Sequence, residues 1–371
     1  SSSVLHGILV FLRSRRYTLA GPDGENGKRR NDRMRILVLG ANGFIGSHLV
    51  GRLLATTDWD VTTFDLGGNN LETFASDRRF SFRKGDIFES DDWIDARVRD
   101  HDVVLPLVGV AKPAFYVTHP VRTFELDFEQ NLKIVRMCVT HRKRVVFPST
   151  SEVYGMSPDA ELSEDSSPLT VGPISQMRWI YSASKQLMDR VIAAYGQEEG
   201  LRFTLFRPFN WIGPRLDTFE DAETGSARSI TQFVHDALTH RRITLVNGGS
   251  QRRSFTYIDD GIEGLVSILR NEDGRAEGEI FNIGNPANNA SIRELAELIL
   301  DIMGEFPAFR DAARETRLVD QPAAQFYGPG YADMQNRIPS IGKMTNLLGW
   351  RPKVPLREAV RLTLSAMVPN D

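Results

Sequence analysis

From Met34 onward the pattern of hydrophobic and polar positions alternates between short apolar runs and longer amphipathic stretches. The apolar runs are nearly continuous, and several are rich in β-branched residues, as buried parallel strands require. They lie at 35–39, 60–65, 80–84, 103–108, 144–148 and 202–207. Between them apolar residues recur at helical spacing, at Ile45, Leu49 and Leu53 and again at Phe124, Phe128, Leu132 and Val135. The alternation predicts an α/β fold built on a doubly wound parallel sheet.

After position 210 the pattern loosens into Gly, Pro and acidic residues, and the later elements are shorter. We therefore predict a nucleotide-binding domain at 34–209 and a smaller α/β substrate lobe at 210–371, with segments that cross back to the first domain. Strands at 243–246 and 281–283 and a helix capped by Ser291 are assigned to this lobe. Residues 1–33 precede the first periodic segment and are predicted to be a leader.

Composition narrows the class of protein. Hydrophobic residues make up 41% of the chain, charged residues 25%, and the formal net charge is −3, as in ordinary globular proteins. The basic runs at 13–16 and 28–33 are interpreted as a solvated tail, so no nucleic-acid partner is predicted. The apolar stretch at 5–12 is far shorter than the ~20 residues that cross a bilayer, so no membrane insertion is expected. The single cysteine, Cys138, fits a reducing compartment, and we expect the cytoplasm.

A glycine motif follows the first predicted strand and opens a helix: Gly40-Ala-Asn42-Gly43-Phe44-Ile45-Gly46. This context suits the diphosphate of a dinucleotide, because the glycines allow a tight turn and a close backbone approach at a helix N-terminus. Asp65 ends the next predicted strand, where a carboxylate accepts the ribose hydroxyls of NAD and repels the 2′-phosphate of NADP. Asp86 and Ile87, at the end of the third strand, are expected to flank the adenine. The motif predicts a Rossmann-type site for NAD.

A second group of residues is predicted to be catalytic. Tyr181-Ser-Ala-Ser-Lys185 sets a phenol and an ammonium one helical turn apart. A fixed cation favours the phenolate, so Tyr181 can accept a hydroxyl proton. Thr150, in Ser149-Thr-Ser-Glu152, follows the fifth strand at the same sheet edge and can set a hydroxyl beside the phenol.

These motifs resemble the extended short-chain dehydrogenases. Longer stretches, 148–155, 178–186, 206–215 and 331–337, resemble the UDP-glucuronate decarboxylase half of the bifunctional polymyxin-resistance proteins of the ArnA type, from about Met34 to the C-terminus. The resemblance implies oxidation of UDP-glucuronate at C4 by NAD, loss of CO2, and release of a UDP-4-keto-pentose with NADH. The corresponding pathway attaches 4-amino-4-deoxy-arabinose to lipid A.

The resemblance also implies residue roles. Glu152 is implied as a general base and Arg337 as the proton donor, although an arginine does not ordinarily give up its proton. We therefore expect Arg337 to stabilise the carboxylate and the enolate electrostatically. The substrate contacts so implied are Ala111, Tyr116, Thr150, Ser151, Arg178, Asn210, the segment 244–253 with Thr244 and Arg253, and Tyr331. Thr244 stands where that family carries a lysine. Arg228, like Arg178 and Arg253, offers a forked set of donors for a diphosphate or a carboxylate.

Three alternatives stay open at this point. A UDP-xylose synthase or a C4 epimerase would return the hydride and retain the cofactor, and a UDP-apiose/xylose synthase is similar over much of the same length, although Ser151 stands where a cysteine is expected in those enzymes. A non-catalytic NAD-dependent regulator is disfavoured by the intact catalytic residues.

The seven histidines show no paired ligand spacing, so no metal site is predicted. The oligomeric state is not determined by the sequence, and a homo-oligomer is one of the options.

Overall fold

The computed structural model describes residues 33–326 and 334–368. From Arg33 onward the chain forms one compact unit. The predicted leader, except for Arg33, and the predicted substrate residue Tyr331 lie outside the described residues. Within the described ranges no helix has the length and apolar character that a bilayer crossing requires.

The strands of the described chain are short, as is usual for α/β proteins. They are β1 (Arg35–Leu39), β2 (Asp60–Asp65), β3 (Phe80–Lys84), β4 (Val103–Pro106), β5 (Arg144–Pro148), β6 (Phe203–Pro208), β7 (Trp211–Ile212), β8 (Arg242–Val246), β9 (Arg252–Ser254), β10 (Thr256–Tyr257), β11 (Glu279–Ile283), β12 (Asn289–Ser291), β13 (Arg317–Gln321) and β14 (Asn336–Arg337).

The helices alternate with the strands through the first half of the chain. They are α1 (Phe44–Thr56), α2 (Asp91–Asp100), α3 (Pro113–Thr118), α4 (Pro120–Phe124), α5 (Asn131–Thr140), α6 (Trp179–Glu199), α7 (Phe219–Glu223), α8 (Ser229–His240), α9 (Ile258–Arg270), α10 (Ile292–Met303), α11 (Arg310–Glu315), α12 (Ala323–Phe326), α13 (Gly342–Leu348) and α14 (Leu356–Ser365). A π-helical turn, Glu125–Gln130, joins α4 to α5.

Seven of these strands form one parallel sheet in the order β11-β6-β5-β4-β1-β2-β3. The order reverses beside β1, as in doubly wound sheets that bind dinucleotides. The predicted fold class is confirmed. One assignment was wrong: the strand expected at 281–283 in the second lobe is part of β11, which pairs with β6 in the central sheet. Its apolar residues Phe281 and Ile283 are fully buried there, because the crossover through α9 returns the chain to the sheet.

Alternate residues of the central strands enter two apolar layers. Ile36 and Val38 pack in the layer that contains α1 and α9, whereas Leu37 and Leu39 pack in the layer that contains α2, α5 and α6. Burial on both faces explains why these strands are continuous apolar runs in the sequence. The sheet therefore presents its carboxyl edge, rather than a face, to ligands.

Three small sheets lie in the second half of the chain. β9 pairs antiparallel with β12 and parallel with β14, β8 pairs parallel with β13, and β7 pairs parallel with β10. In the first of these, Arg337 on β14 lies in register with Arg253 on β9. This strand pairing holds Arg337 beside Arg253, although Arg337 lies much later in the sequence. The helix predicted after Ser291 is α10, and it begins with a capping box formed by Ser291 and Glu294.

Candidate active site

A cavity of about 370 Å³ opens at the carboxyl edge of the central sheet. Its wall combines the glycine turn after β1, the segments that follow β4, β5 and β6, and one face of α6. Fifteen of the residues singled out from the sequence line it: Gly40, Gly43, Phe44, Ile45, Gly46, Ala111, Tyr116, Thr150, Ser151, Glu152, Tyr181, Lys185, Asn210, Arg228 and Arg337.

The glycine turn is packed closely against neighbouring backbone at Gly40 and Gly46 but is open at Gly43. Gly40 has a φ of +84°, and a Cβ there would lie 2.8 Å from the carbonyl carbon of Leu107. A Cβ on Gly46 would lie 2.6 Å from the carbonyl oxygen of Gly40, so the helix packs directly on the turn. Beside Gly43, in contrast, the nearest atom would be 3.5 Å away. The first turn of α1 contains no acidic residue. This open helix N-terminus fits the diphosphate of a dinucleotide.

Asn42 and Asp65 connect the glycine turn to the end of β2. The Asp65 carboxylate accepts hydrogen bonds from the backbone N–H of Asn42 at 2.8 Å and of Leu66 at 2.7 Å. Burial raises the pKa of Asp65, and these backbone donors offset part of the rise. The Asn42 side chain bonds to Asn69 and Asn70 in the loop after β2. Both predicted cofactor residues therefore also hold the turn in shape.

Asp86 and Ile87 lie after β3, outside the wall of the cavity. Asp86 caps the short helical turn Ile87–Glu89 by accepting a hydrogen bond from the N–H of Phe88 at 2.9 Å. The carbonyl of Ile87 accepts a hydrogen bond from the Gln130 amide at 2.8 Å. Their role beside an adenine stays a prediction.

The Tyr181 ring is held flat against the ring of Tyr116, with centroids 4.4 Å apart and planes 5° apart. Burial raises the pKa of Tyr181 well above its ordinary value. The carboxylates of Asp127 and Glu152 add to the rise, and the hydroxyls of Thr150 and Tyr116 offset part of it. The ring is thus held in place, and both its burial and the two carboxylates oppose ionisation of the phenol.

The structure pairs the Lys185 ammonium with a carboxylate that was not predicted. We expected the ammonium to favour the phenolate of Tyr181. Its Nζ atom lies 5.9 Å from the centroid of the Tyr181 ring. The same atom lies 3.2 Å from Oδ1 of Asp127 and donates a hydrogen bond to the carbonyl of Pro148 at 3.2 Å. Because the Asp127 carboxylate opposes the charge of the ammonium, it weakens the stabilisation that Lys185 can give to the phenolate.

Glu152 lies between two arginines that come from distant parts of the chain. Its Oε2 atom is 3.1 Å from Nη2 of Arg178, which precedes α6, and its Oε1 atom is 2.7 Å from Nη1 of Arg337. All three side chains are largely buried. The backbone N–H of Glu152 donates to the hydroxyl of Thr150, which caps the turn Ser151–Tyr154. The turn and the two guanidinium groups together fix the carboxylate.

Arg228 and Asn210 complete the wall on the side of the glycine turn. Asp217, whose side chain is 1% exposed, lies 2.8 Å from Nη2 of Arg228. The guanidinium carbon of Arg228 is 5.5 Å from the centroid of the Phe44 ring, at the start of α1. Asn210 has a φ of +39°, and its amide donates to the carbonyl of Ser254. Arg228 therefore lies near the site predicted for a diphosphate.

Of the predicted substrate residues that the structure describes, Arg178, Thr244 and Arg253 do not line the cavity. Thr244 lies on β8, paired with Val319 of β13. Arg253 is buried on β9 and donates to the carbonyls of Arg252 at 2.8 Å and of Met334 at 2.9 Å. Tyr331 lies outside the described residues. The structure brings Arg253 beside Arg337 but leaves the roles of Thr244 and Arg253 in binding as predictions.

Asp127 is a charged residue of the cavity wall that the sequence interpretation missed. The helical spacing of Phe124, Phe128 and Leu132 predicted a regular helix, in which an acidic residue at this point is unremarked. The structure has a π-helical turn there, and the Asp127 side chain is fully buried. Because other charged residues, such as Glu125 and Glu129, lie in the same segment, no signal in the sequence distinguished Asp127.

Among the described residues one group of side chains has the composition of a metal site: His235, Asp236 and His240, on α8. None of the three lines the cavity. Their ligand atoms lie within 4.8 Å of one another.

Residues 36–284 match the family model described as the NAD dependent epimerase/dehydratase family. The chain belongs to this family. The match covers the central sheet, the glycine turn and the Tyr181–Lys185 pair, all of which contribute to the candidate active site described above. The prediction of NAD as the cofactor is confirmed.

Solved structures agree with this assignment. PbgP3 protein from Burkholderia pseudomallei is 48% identical, with a TM-score of 0.82, and the match covers 90% of this chain and 96% of that chain. DesIV, a dTDP-glucose 4,6-dehydratase from Streptomyces venezuelae solved with NAD and TYD, is 26% identical, with a TM-score of 0.74 over 90% and 96% of the two chains. A UDP-glucuronic acid 4-epimerase from Bacillus cereus, at 24% identity and a TM-score of 0.71 over 90% and 99%, shares the fold.

Proposed function

We propose that this epimerase/dehydratase family enzyme catalyses the NAD-dependent oxidative decarboxylation of UDP-glucuronate to a UDP-4-keto-pentose. The observation that carries the proposal is the 2.7 Å contact between Glu152 and Arg337 in the same cavity wall as Tyr181. Oxidation of a hydroxyl requires Tyr181, Lys185 and the cofactor. A guanidinium and a carboxylate beside them supply groups suited to a substrate that also bears a carboxylate.

The first step is oxidation of the C4 hydroxyl. Tyr181 is fixed by its stacking on Tyr116 and takes the proton of that hydroxyl. Bound NAD supplies the two-electron acceptor. The Thr150 hydroxyl faces the phenol and helps to orient the same sugar oxygen. The product of this step is a ketone at C4, so that the C6 carboxylate belongs to a β-keto acid.

The second step is loss of CO2. The electrons of the breaking C5–C6 bond move into an enolate, and negative charge builds on the C4 oxygen. Arg337 stabilises that charge with its guanidinium, which stays protonated, and a water delivers the proton to C5. Glu152 orients Arg337 through their contact and is the candidate base. Because Arg337 and Glu152 both line the cavity, each can act on the sugar that Tyr181 deprotonates.

The motif resemblance to decarboxylases of the ArnA type supports a further part of the proposal. The UDP-4-keto-pentose would serve the route that attaches 4-amino-4-deoxy-arabinose to lipid A. NADH would leave the enzyme as a product rather than return its hydride to the sugar.

The direct test is incubation of the enzyme with UDP-glucuronate and NAD, with trapped CO2, NADH absorbance and the mass of the sugar nucleotide measured together. We expect CO2 and NADH in equal amounts, and no CO2 from UDP-glucose. CO2 without accumulating NADH, with UDP-xylose as product, would assign a UDP-xylose synthase instead. Conversion to the C4 epimer without CO2 would assign an epimerase.

Two variants separate the steps. Tyr181→Phe should abolish NAD reduction and retain UDP-glucuronate binding, whereas Tyr195→Phe, near the other end of the same helix and outside the cavity wall, should turn over at the parent rate. Arg337→Ala should slow CO2 release at least tenfold while the Kd for NAD changes little, because its charge acts mainly in the transition state. Arg252→Ala, on the neighbouring strand but outside the cavity wall, is the matched control.

A further inference from the structure

The π-helical turn Glu125–Gln130 is attached to its surroundings by the side chain of the residue that follows it. The Asn131 amide donates to the carbonyl of Leu126 at 2.9 Å and to the carbonyl of Val108 at 3.1 Å. It therefore takes up a carbonyl within the turn and attaches the turn to the segment after β4. Such turns within helices are frequent at functional sites. Here the turn directs a buried carboxylate, Asp127, into the wall of the cavity.

Asp127 is the centre of a compact set of contacts. Its Oδ1 atom lies 3.2 Å from Nζ of Lys185, and its Oδ2 atom accepts from the N–H of Val110 at 3.3 Å. A Cβ on Gly109 would lie 2.6 Å from Oδ1, so the carboxylate occupies the space that a side chain there would fill. Both partners of the ion pair are almost fully buried, at 3% and 0% exposure. A pair in this setting holds its geometry firmly, because either charge alone would be costly.

We propose that Asp127 is a positioning residue for the reaction. It fixes the Lys185 ammonium beneath Tyr181 and, by opposing its charge, sets the range of pH over which Tyr181 acts as a base. This inference rests on the proposed function only in so far as Tyr181 is the base of the oxidation step. Asp127 itself acts through Lys185.

The charges around Tyr181 give the direction of the effect. The titratable groups that face it come from every neighbouring element: Tyr116 on α3, Asp127 on the π-helical turn, Glu152 after β5 and Lys185 on its own helix. Of these, Asp127 is the largest electrostatic contribution to the raised pKa of Tyr181, after burial. Removal of its charge should therefore make the phenol easier to deprotonate and leave the ammonium unopposed.

The first test is the pH profile of kcat for NAD reduction in Asp127→Asn, which keeps the shape of the side chain. We expect the acid limb to move to lower pH by about half a unit or more. A purely structural role would lower kcat equally at every pH and leave the limb in place, and that result would overturn the proposal. Asp260→Asn, which removes another buried carboxylate that does not line the cavity, should lower stability without moving the limb. Asp127→Glu should return the limb toward its parent position.

The second test needs no turnover and so stands apart from the proposed function. Lys185→Met leaves the Asp127 carboxylate buried without its cation, so its Tm should fall clearly below that of the parent. Adding Asp127→Asn to Lys185→Met should recover at least half of that loss. Losses that simply add would show that the two side chains are not coupled, and the proposal would be wrong even if UDP-glucuronate is decarboxylated. If the chain has no activity on UDP-glucuronate but the coupling is present, only the proposed substrate is wrong.

Discussion

Replacement of Tyr154 by Phe should destabilise the protein by breaking a buried hydrogen-bond network. Tyr154 is fully buried, and its hydroxyl accepts from Nη1 of Arg207 at 2.9 Å and donates to Oδ1 of Asn282 at 2.8 Å. Arg207 also pairs with Asp189 at 3.1 Å, and Asp189 accepts from the Ser149 hydroxyl at 2.7 Å. The network thus connects β6, β11 and α6 to both ends of the segment that carries Thr150 and Glu152.

The magnitude follows from the two groups that would lose their partner. Each buried donor or acceptor left unsatisfied costs about 1–3 kcal/mol, so the free energy of unfolding should fall by about 2–6 kcal/mol in Tyr154→Phe. For the described residues, about 330 in number, the entropy of unfolding near the transition is about 0.7 kcal/mol per kelvin, so the Tm should fall by about 3–9 °C.

Scanning calorimetry with urea unfolding measures both quantities. Tyr257→Phe is the matched control, since Tyr257 is buried but its hydroxyl makes no hydrogen bond to the described part of the chain. Its Tm should change by less than 1 °C or so. Equal losses in the two variants, or a loss below about 1 kcal/mol in Tyr154→Phe, would refute the reasoning that the network is stabilising.

Three further predictions concern the predicted cofactor site and one ion pair on the surface. Asp65→Ala should weaken NAD binding and relax the bias against NADP, measured by titration of both cofactors, because the ribose acceptor and the repelling charge disappear together; unchanged discrimination would leave Asp65 as a structural residue only. Gly46→Ala should abolish NAD binding and lower the Tm, because its Cβ would lie 2.6 Å from the carbonyl oxygen of Gly40. Hydrogen bonding to Arg202 lowers the pKa of Glu277, so this pair contributes stability above the ordinary carboxyl pKa of about 4.3 and loses it as the pH falls further. Glu277→Gln should therefore show a shallower fall of Tm with acidification.

The sequence predicted the central sheet well because its strands are buried on both faces. Continuous apolar runs mark such strands directly, and five of the first six were located to within about a residue. The same reasoning misplaced the strand at 281–283, since an apolar run does not indicate which sheet will bury it. The strand that contains Phe281 pairs with β6 because the crossover through α9 returns the chain to the central sheet.

Short motifs with a fixed local geometry account for many of the predicted residues that line the cavity. The three glycines of the turn and Tyr181 with Lys185 are of this kind, and all of them line it. Asp127 was missed because its position depends on a π-helical turn, which Asn131 attaches to the carbonyl of Val108 in the loop after β4. The ion pair of Lys185 was missed for the same reason, because its carboxylate comes from another helical segment.

The position of Arg337 on a strand of two residues has a consequence for how such enzymes could diverge. The glycine turn, Tyr181 and Lys185 all lie before position 211, whereas Arg337 lies on β14 and reaches Glu152 across 185 positions of sequence. On the proposed function, one segment of the sequence therefore contains the residues for the oxidation step. A second and much shorter segment contains the residue that determines whether the ketone is decarboxylated. Exchange of that short segment between relatives would redirect the product without any change to the cofactor site.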